Sequence, residues 1–600
     1  MACAVCAGHV GLLAGLLQAI AEAGAGAFGW RSFVMETHVG QVWLWRCLPA
    51  MALLAAVIVP VRGSWRAVAA AALAAGYLAL GPWGGHAGGA EQFGWVMSIN
   101  VIHALAVSCW LGALPGWLWS VRAHARGDIR RASLAQTLTV FSRLAAVLMT
   151  VIVVSGVWLA DLYVDDQGDL LGTRYGILVV AKAALLIGAL YCANRLRLHF
   201  LPGLRTSAPE ATSPGLAVRY IMVEMAFAVG VLTCAVWLAQ TTPALHEAQP
   251  RWWLPFRWSF DATWGESQTR VWILSGAALV AAGIVAASRR NFGGYWIQAA
   301  AALSLLGAGL LAWALAVPAY PGTYWRAQVP YLTLSVANGR TQYERLCTSC
   351  HGSGGLGDGQ MAASLPRPPA NLSEPHTALH TAGDMFWWLT HGIPKSGMPG
   401  FASSMTPEDR WDTINFMRAF SQGFESRILG PGIVPGQAWL GAINFYVEGV
   451  AGPSELKGYR NADNVLLVFL GGKSAGLRAG VLSDAYPSLR TRRTRVIAVA
   501  LRGADLPDAL PFPLIREGGE EIWSAYQLLT RTVANRGSPD QVGMDWTHAE
   551  FIIDRFGYIR GRWISEEDPG GWSNPASLHG ALDILNAEPQ LKPFPDDHIH

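Results

Sequence analysis

A chain of 600 residues is too long for one hydrophobic core, so several domains are expected. Its residues are 52% hydrophobic and only 14% charged, against roughly 25% charged in an average soluble domain, which excludes a wholly water-soluble protein. The formal net charge is +3 and no basic cluster is interleaved with aromatics, which excludes nucleic acid as a partner.

Nine apolar stretches approach the roughly 20 residues that a bilayer crossing needs: 9–28, 41–61, 65–81, 95–119, 139–160, 175–194, 219–240, 271–288 and 295–317. The expectation is a polytopic α-helical membrane domain of about nine spans. No basic residue precedes position 9, so the first is not expected to be a cleaved signal. Lys and Arg collect in alternate connections: Arg62 with Arg66, "RAHARGDIRR", Arg195 with Arg197, and "SRRN". The loops between them, "GPWGGHAGGAEQ" and "DLYVDDQGDL", hold neither. The basic loops are therefore expected inside, and everything after residue 317 outside.

Polar groups in spans are costly and need an account. His86 falls in an outer loop and His103 about two turns into the fourth span from that side; Met35, His38 and His246 lie in other outer connections. Imidazole and thioether suit copper, whereas hydrogen bonding to neighbours is the plainer role for any one of them. Glu224 and Lys182 are intramembrane ions with structural pairing or transport as their two readings. Cys3, Cys6, Cys47, Cys109, Cys192 and Cys234 sit in or beside apolar stretches and read as small apolar fillers, which leaves no disulfide scaffold.

The stretch "INVIHALAVSCWLGALPGWLW" resembles the signature helix of the CopD copper-resistance family, with His103, Trp110 and Gly112 in matching places. "FSRLAAVLMTVIVVSGVWLA", "TRYGILVVAKAALL" with Lys182, and "RYIMVEMAFAVGVLTCAVWLAQTTPA" with Glu224 resemble the family's later helices in order. The resemblance covers roughly 40–245. It implies a multi-span inner-membrane protein that moves or handles copper, with His86 and His103 as the copper ligands to test.

Residues 347–351 read Cys-Thr-Ser-Cys-His. Covalent haem attachment needs this pattern, two thiols for the two vinyl groups and an adjacent His for the iron. "GLGDG" follows, supplying glycines where a chain wraps a flat cofactor, and Met398 lies downstream between glycine and proline. A zinc site would want a second cysteine pair, and no cysteine follows Cys350. A short helix is expected at "NGRTQYERL" and another at "TPEDRWDTINFMRAF", with Thr406 as N-cap and Pro407 in the first turn. This layout over 338–420 resembles a class I c-type cytochrome, an all-α domain. By that resemblance Cys347 and Cys350 anchor one haem c, His351 is the proximal ligand and Met398 the distal one; His391 is the rival distal residue.

After the Pro/Gly-rich "LGPGIVPGQ", "NVLLVFLGG" and "VIAVAL" read as strands, "AEFIIDRFGYIRGRW" as a hairpin turning at Phe556-Gly557, and "GGEEIWSAYQLL" as a helix. This α/β order resembles the thioredoxin-like fold and its SCO copper-chaperone relatives, with His548 at the copper-binding histidine. The expected cysteine pair is Ala475 and Ala479, and thiol exchange needs a thiolate, so redox catalysis is excluded in this domain. A weak metal site at His548 and a docking role remain open, docking being favoured.

The expected domains are 1–320 in the membrane, 335–422 as cytochrome and 437–590 as a thioredoxin/SCO-like domain lacking its cysteines. The expected function is copper handling or transport in the bacterial inner membrane, with the cytochrome and C-terminal domains on the periplasmic side, serving a periplasmic or membrane redox partner. The chain then carries electrons or transports rather than catalyses. A membrane-anchored respiratory cytochrome and a copper-delivery assembly factor for an oxidase are the alternatives.

Overall fold

The computed structural model describes residues 35–58, 65–84, 93–205, 213–288, 294–374, 377, 380–447, 452–531 and 548–591. The chain divides into two compact units, Met1–Glu247 and Ala248–His600.

In the first unit the long helices among the described residues are α1 (His38–Ile58), α2 (Trp65–Ala79), α3 (Phe93–Ala125), α4 (Arg131–Asp161), α5 (Arg174–Arg195) and α6 (Pro214–Leu238). Local signals set their starts. The Thr173 side chain accepts from Gly176 N at α5, and Ser213 accepts from Leu216 N with Pro214 in the first turn of α6. Close approach comes from glycine, as membrane helix pairs require. A Cβ on Gly188 of α5 would stand 2.8 Å from the Phe227 ring of α6, and one on Gly230 would stand 3.1 Å from Leu185. The outward face of α4 exposes Val140, Val147, Val154 and Val157, an apolar stripe that lipid rather than water tolerates.

The second unit opens with a helical hairpin, α7 (Ser267–Ser288) and α8 (Gly294–Ala314). Gly276 and Gly307 face each other so closely that a Cβ on Gly307 would stand 2.7 Å from the Gly276 carbonyl oxygen. One end of this hairpin carries a two-strand ribbon, β1 (Phe256–Trp258) antiparallel to β2 (Ala316–Pro318). Among the described residues seven helices, α2 to α8, are long and apolar enough to cross a membrane by length and composition. Helix α1 stands at the second expected span, and the first lies outside the described residues.

Next come α9 (Thr333–Leu346), the single turn Thr348–His351, α10 (Ala382–His391) and α11 (Pro407–Glu425). The Thr406 hydroxyl and the Asp409 carboxylate close a reciprocal capping box at the start of α11. Helices α9 and α11 cross at Gly339, where a Cβ would collide with the Asp412 carbonyl, and Tyr343 packs 5.1 Å from Phe416 and 5.9 Å from Phe420. No helix is expected from the sequence between the haem motif and Met398. Helix α10 is there because Thr381 caps it by accepting from Asp384 N, while Gly392 at φ 75° ends it.

The last third is a five-stranded sheet in the order β5-β4-β3-β6-β7: β3 (Asn464–Leu470), β4 (Thr494–Ala500), β5 (Leu514–Ile515), β6 (His548–Ile553) and β7 (Ile559–Ile564). Strands β3, β4 and β5 run parallel, and β6 and β7 are antiparallel. The hairpin turns at Gly557, φ 92°, as expected from Phe556-Gly557. Helices α12 (Ala475–Thr491), α13 (Gly519–Tyr526) and α14 (Pro575–Ala587) flank the sheet. In β3 the faces alternate as a strand requires. Leu466, Val468 and Leu470 pack with Leu482 and Leu489 of α12 and with Leu578, Leu582 and Leu585 of α14. Val465, Leu467 and Phe469 join a core that also holds Tyr343, Phe416, Phe420 and Tyr526. The sheet therefore shares one hydrophobic core with the helices around the Cys-Thr-Ser-Cys-His turn. The expected linker packs on the sheet as well: Leu429 lies against this core, while Ile433 is buried in the core of the opposite face, where the Pro431 carbonyl accepts from Trp572 Nε1 at 2.9 Å.

Candidate functional site

Cys347 caps the end of α9, with its N–H donating to Tyr343 O at 2.8 Å. One further turn, closed by His351 N to Cys347 O at 2.8 Å, carries Cys350 and His351. His351 Nδ1 lies 3.1 Å from the Ala370 carbonyl, which makes Nδ1 the donor and leaves Nε2 as a lone-pair ligand. Burial lowers the His351 pKa, so its neutral, ligating form holds at pH 7. Burial, aided by Cys350, pushes the Cys347 thiol up to about 12 and disfavours the thiolate that a zinc site wants.

The glycines that follow have geometric work. Gly352, Gly355 and Gly357 all adopt φ between 70° and 79°. A Cβ on Gly355 would collide with the Phe420 ring, and one on Gly359 would stand 2.5 Å from Ser349 O. Met398 sits behind Gly397, φ 83°, in a turn closed by Ile393 N to Met398 O at 2.9 Å. Its side chain and that of Cys347 pack against the same core. Trp388 Nε1, on the helix leading into this turn, is a buried donor without a protein partner, suited to a cofactor that brings acceptors. These residues fit haem c. Cys347 and Cys350 would hold its vinyl carbons and His351 its iron, with Met398 the soft sixth ligand. His391 is exposed and lies against the Trp387 ring at 4.0 Å, which removes the argument for it as a rival.

A second network, barely marked in the sequence, reaches helix α10. The Thr323 hydroxyl donates to Asp384 Oδ1 at 2.6 Å, and Arg257 of the β1 ribbon lies 3.7 Å from Asp384 Oδ2. Its one sequence signal was an aspartate in the first turn of a short aromatic helix.

In the membrane unit, His103 Nδ1 lies 2.8 Å from Ser155 Oγ, with its ring over Gly156. His86 lies outside the described residues, so its pairing with His103 does too. Met97 is buried beside Val96 and Leu162, His38 Nε2 meets the Trp83 carbonyl at 3.0 Å, and Met35 and His246 are exposed. Among the described residues no three His, Cys, Asp or Glu gather as a metal cluster. Nor, among them, does an ion pair join Lys182 to Glu224; Glu224 is 4% exposed and finds the Trp110 side chain.

In the C-terminal sheet, His548 Nε2 lies 2.7 Å from Glu550 Oε1, and Arg478 grips the same carboxylate at 2.6 and 2.9 Å. The His548 ring meets Trp563 edge-on at 4.9 Å, and Arg478 lies over that indole at 4.8 Å. His548 is thus committed inside a buried ionic cluster. Ala475 and Ala479, at the positions expected for the cysteine pair, are buried in α12, the helix that carries Arg478.

Three family models match the chain: "Copper resistance protein D-like, N-terminal domain" over residues 1–96, "Copper resistance protein D" over 135–238, and "Cytochrome c" over 336–421. The copper resistance protein D of Pseudomonas syringae pv. tomato is 28% identical over 255 residues, which are 40% of this chain and 82% of that protein. No solved structure matches. Regions similar to copper resistance protein D and a haem-binding cytochrome c domain are therefore joined in one chain, a copper-related, multi-pass membrane protein.

Proposed function

We propose that this protein handles copper in the bacterial inner membrane through residues 1–320, and moves single electrons through a haem c domain at 335–422 on the periplasmic side. The observation that carries the electron-transfer half is His351, with Nδ1 tied to the Ala370 carbonyl, on a turn whose cysteine shares one core with Met398. Bound haem supplies a one-electron iron couple. The chain supplies the rest: a positioned imidazole, a thioether held by a tight turn, and a packed aromatic core against which Cys347 and Met398 lie.

The region 437–590 reads as a thioredoxin-like domain. Two parallel strands joined through a helix, then an antiparallel hairpin and a closing helix, support that reading. Without cysteines, and with His548 bound to Glu550, it acts as a docking and bracing element for the cytochrome. This argues against copper delivery by that domain.

Reduced-minus-oxidised spectra and metal analysis of the purified protein test the proposal together. One c-type haem per chain with bound copper is expected; a protein without a c-type band sinks the haem assignment, and copper-free protein with full haem sinks the copper half. Sidedness is tested separately by reporters fused after residue 330, which are expected to be active only outside the cytoplasm.

A further inference from the structure

Helices α3 to α6 and the turn after α5 line a half-open cavity of about 240 Å³ that the haem and copper proposals do not use. Its walls are aromatic: Trp110, Trp117 and Phe141 line it, and the Trp117 and Phe141 rings are 4.9 Å apart. Two features give it polarity. Glu224 presents a carboxyl that is 4% exposed, and Trp117 Nε1 is buried with no hydrogen-bond partner. Asn194 and Arg197 also line it, Arg197 on a stretch of π-helix (Leu196–Phe200), a backbone form frequent at functional sites.

We propose that this cavity binds a quinone-class ring, a flat membrane-soluble molecule that brings both an oxygen acceptor and, when reduced, a hydroxyl donor. The acceptor answers Trp117 Nε1 and the donor answers the Glu224 carboxyl. A saturated acyl chain would fill the volume, leave Trp117 Nε1 unanswered and leave the Glu224 carboxyl with the Trp110 side chain alone, which is the costly outcome for buried polar atoms. The ring faces match the indole and phenyl walls. The size suits a small head group, somewhat below the roughly 300 Å³ at which drug-sized pockets begin.

The test is equilibrium dialysis of 2,3-dimethoxy-5-methyl-1,4-hydroquinone, kept reduced, against the full-length protein in detergent, with haem counting the molecules. Saturation at one ring per haem is expected. Glu224→Gln should weaken binding about tenfold and Trp117→Phe by several-fold, in line with loss of a buried hydrogen bond. Ala146→Trp, which fills the cavity from α4, should abolish it. Haem content and melting temperature unchanged in these variants show that the fold is intact. Unsaturable binding, equal affinity in Glu224→Gln, or a tightly retained phospholipid that hydroquinone does not displace would each overturn the assignment.

Discussion

Replacing Glu550 by Ala is expected to destabilise the C-terminal sheet by about 3–5 kcal/mol, the usual result of leaving one partner of a buried ion pair alone. Glu550 is fully buried, Arg478 is gripped by both its oxygens, and His548 depends on the same carboxylate. The double variant Arg478→Met, Glu550→Leu removes both charges, and it should recover much of the loss. Denaturant unfolding of the two proteins makes the comparison. The pH dependence has a definite sign. Burial raises the Glu550 pKa, but Arg478 and His548 outweigh it and hold the carboxyl below its ordinary 4.5. A depressed carboxylate contributes its full stability above the unfolded value and loses it as pH falls through the folded one. Acid unfolding should therefore set in below about pH 4.5, and the double variant should lack that component.

Met398→Ala should leave haem covalently attached and open the sixth coordination position. The purified reduced variant is expected to bind carbon monoxide at close to one per haem, whereas the parent protein binds almost none. Unchanged carbon monoxide binding would place the sixth ligand elsewhere in the domain. The rigid turn around Met398, with Gly397 at φ 83° and the Ile393–Met398 hydrogen bond, has no second thioether or imidazole to substitute cheaply. His391 is turned onto Trp387.

Much of this was legible because it is local. The membrane helices follow apolar run length, Thr406 and Pro407 mark the start of α11, and the Cys-Thr-Ser-Cys-His turn needs only its own five residues. What escaped the sequence depends on distant partners. Helix α12 carries Pro487 and a weak apolar stripe, so it shows itself only against the sheet it covers. The commitment of His548 could not be read from "WTHAEF", because the decisive group, Arg478, lies on another element. The common core of cytochrome helices and sheet was hidden behind a segment whose prolines and glycines imitate a linker. That segment stays mostly exposed but anchors on the sheet through Ile433 and the Pro431 carbonyl.

The β1–β2 ribbon that closes the open end of the α7–α8 hairpin has a mechanical consequence. Arg257 and the Tyr320–Trp325 turn hold Asp384 and Gly383 of α10, and a Cβ on Gly383 would collide with the Gly322 carbonyl. Tyr320 stacks on Trp387 at 5.7 Å, and Trp325 meets Phe386 at 5.8 Å. A cytochrome on a slack tether can swing between donor and acceptor like a pendulum, and its linker length then sets the turnover. Here the domain is bolted to the α7–α8 hairpin at α10, the helix that leads the chain to Met398. Under the proposed electron-transfer function it is a fixed relay post, to which carriers would have to travel, and collision frequency rather than tether slack would govern the current.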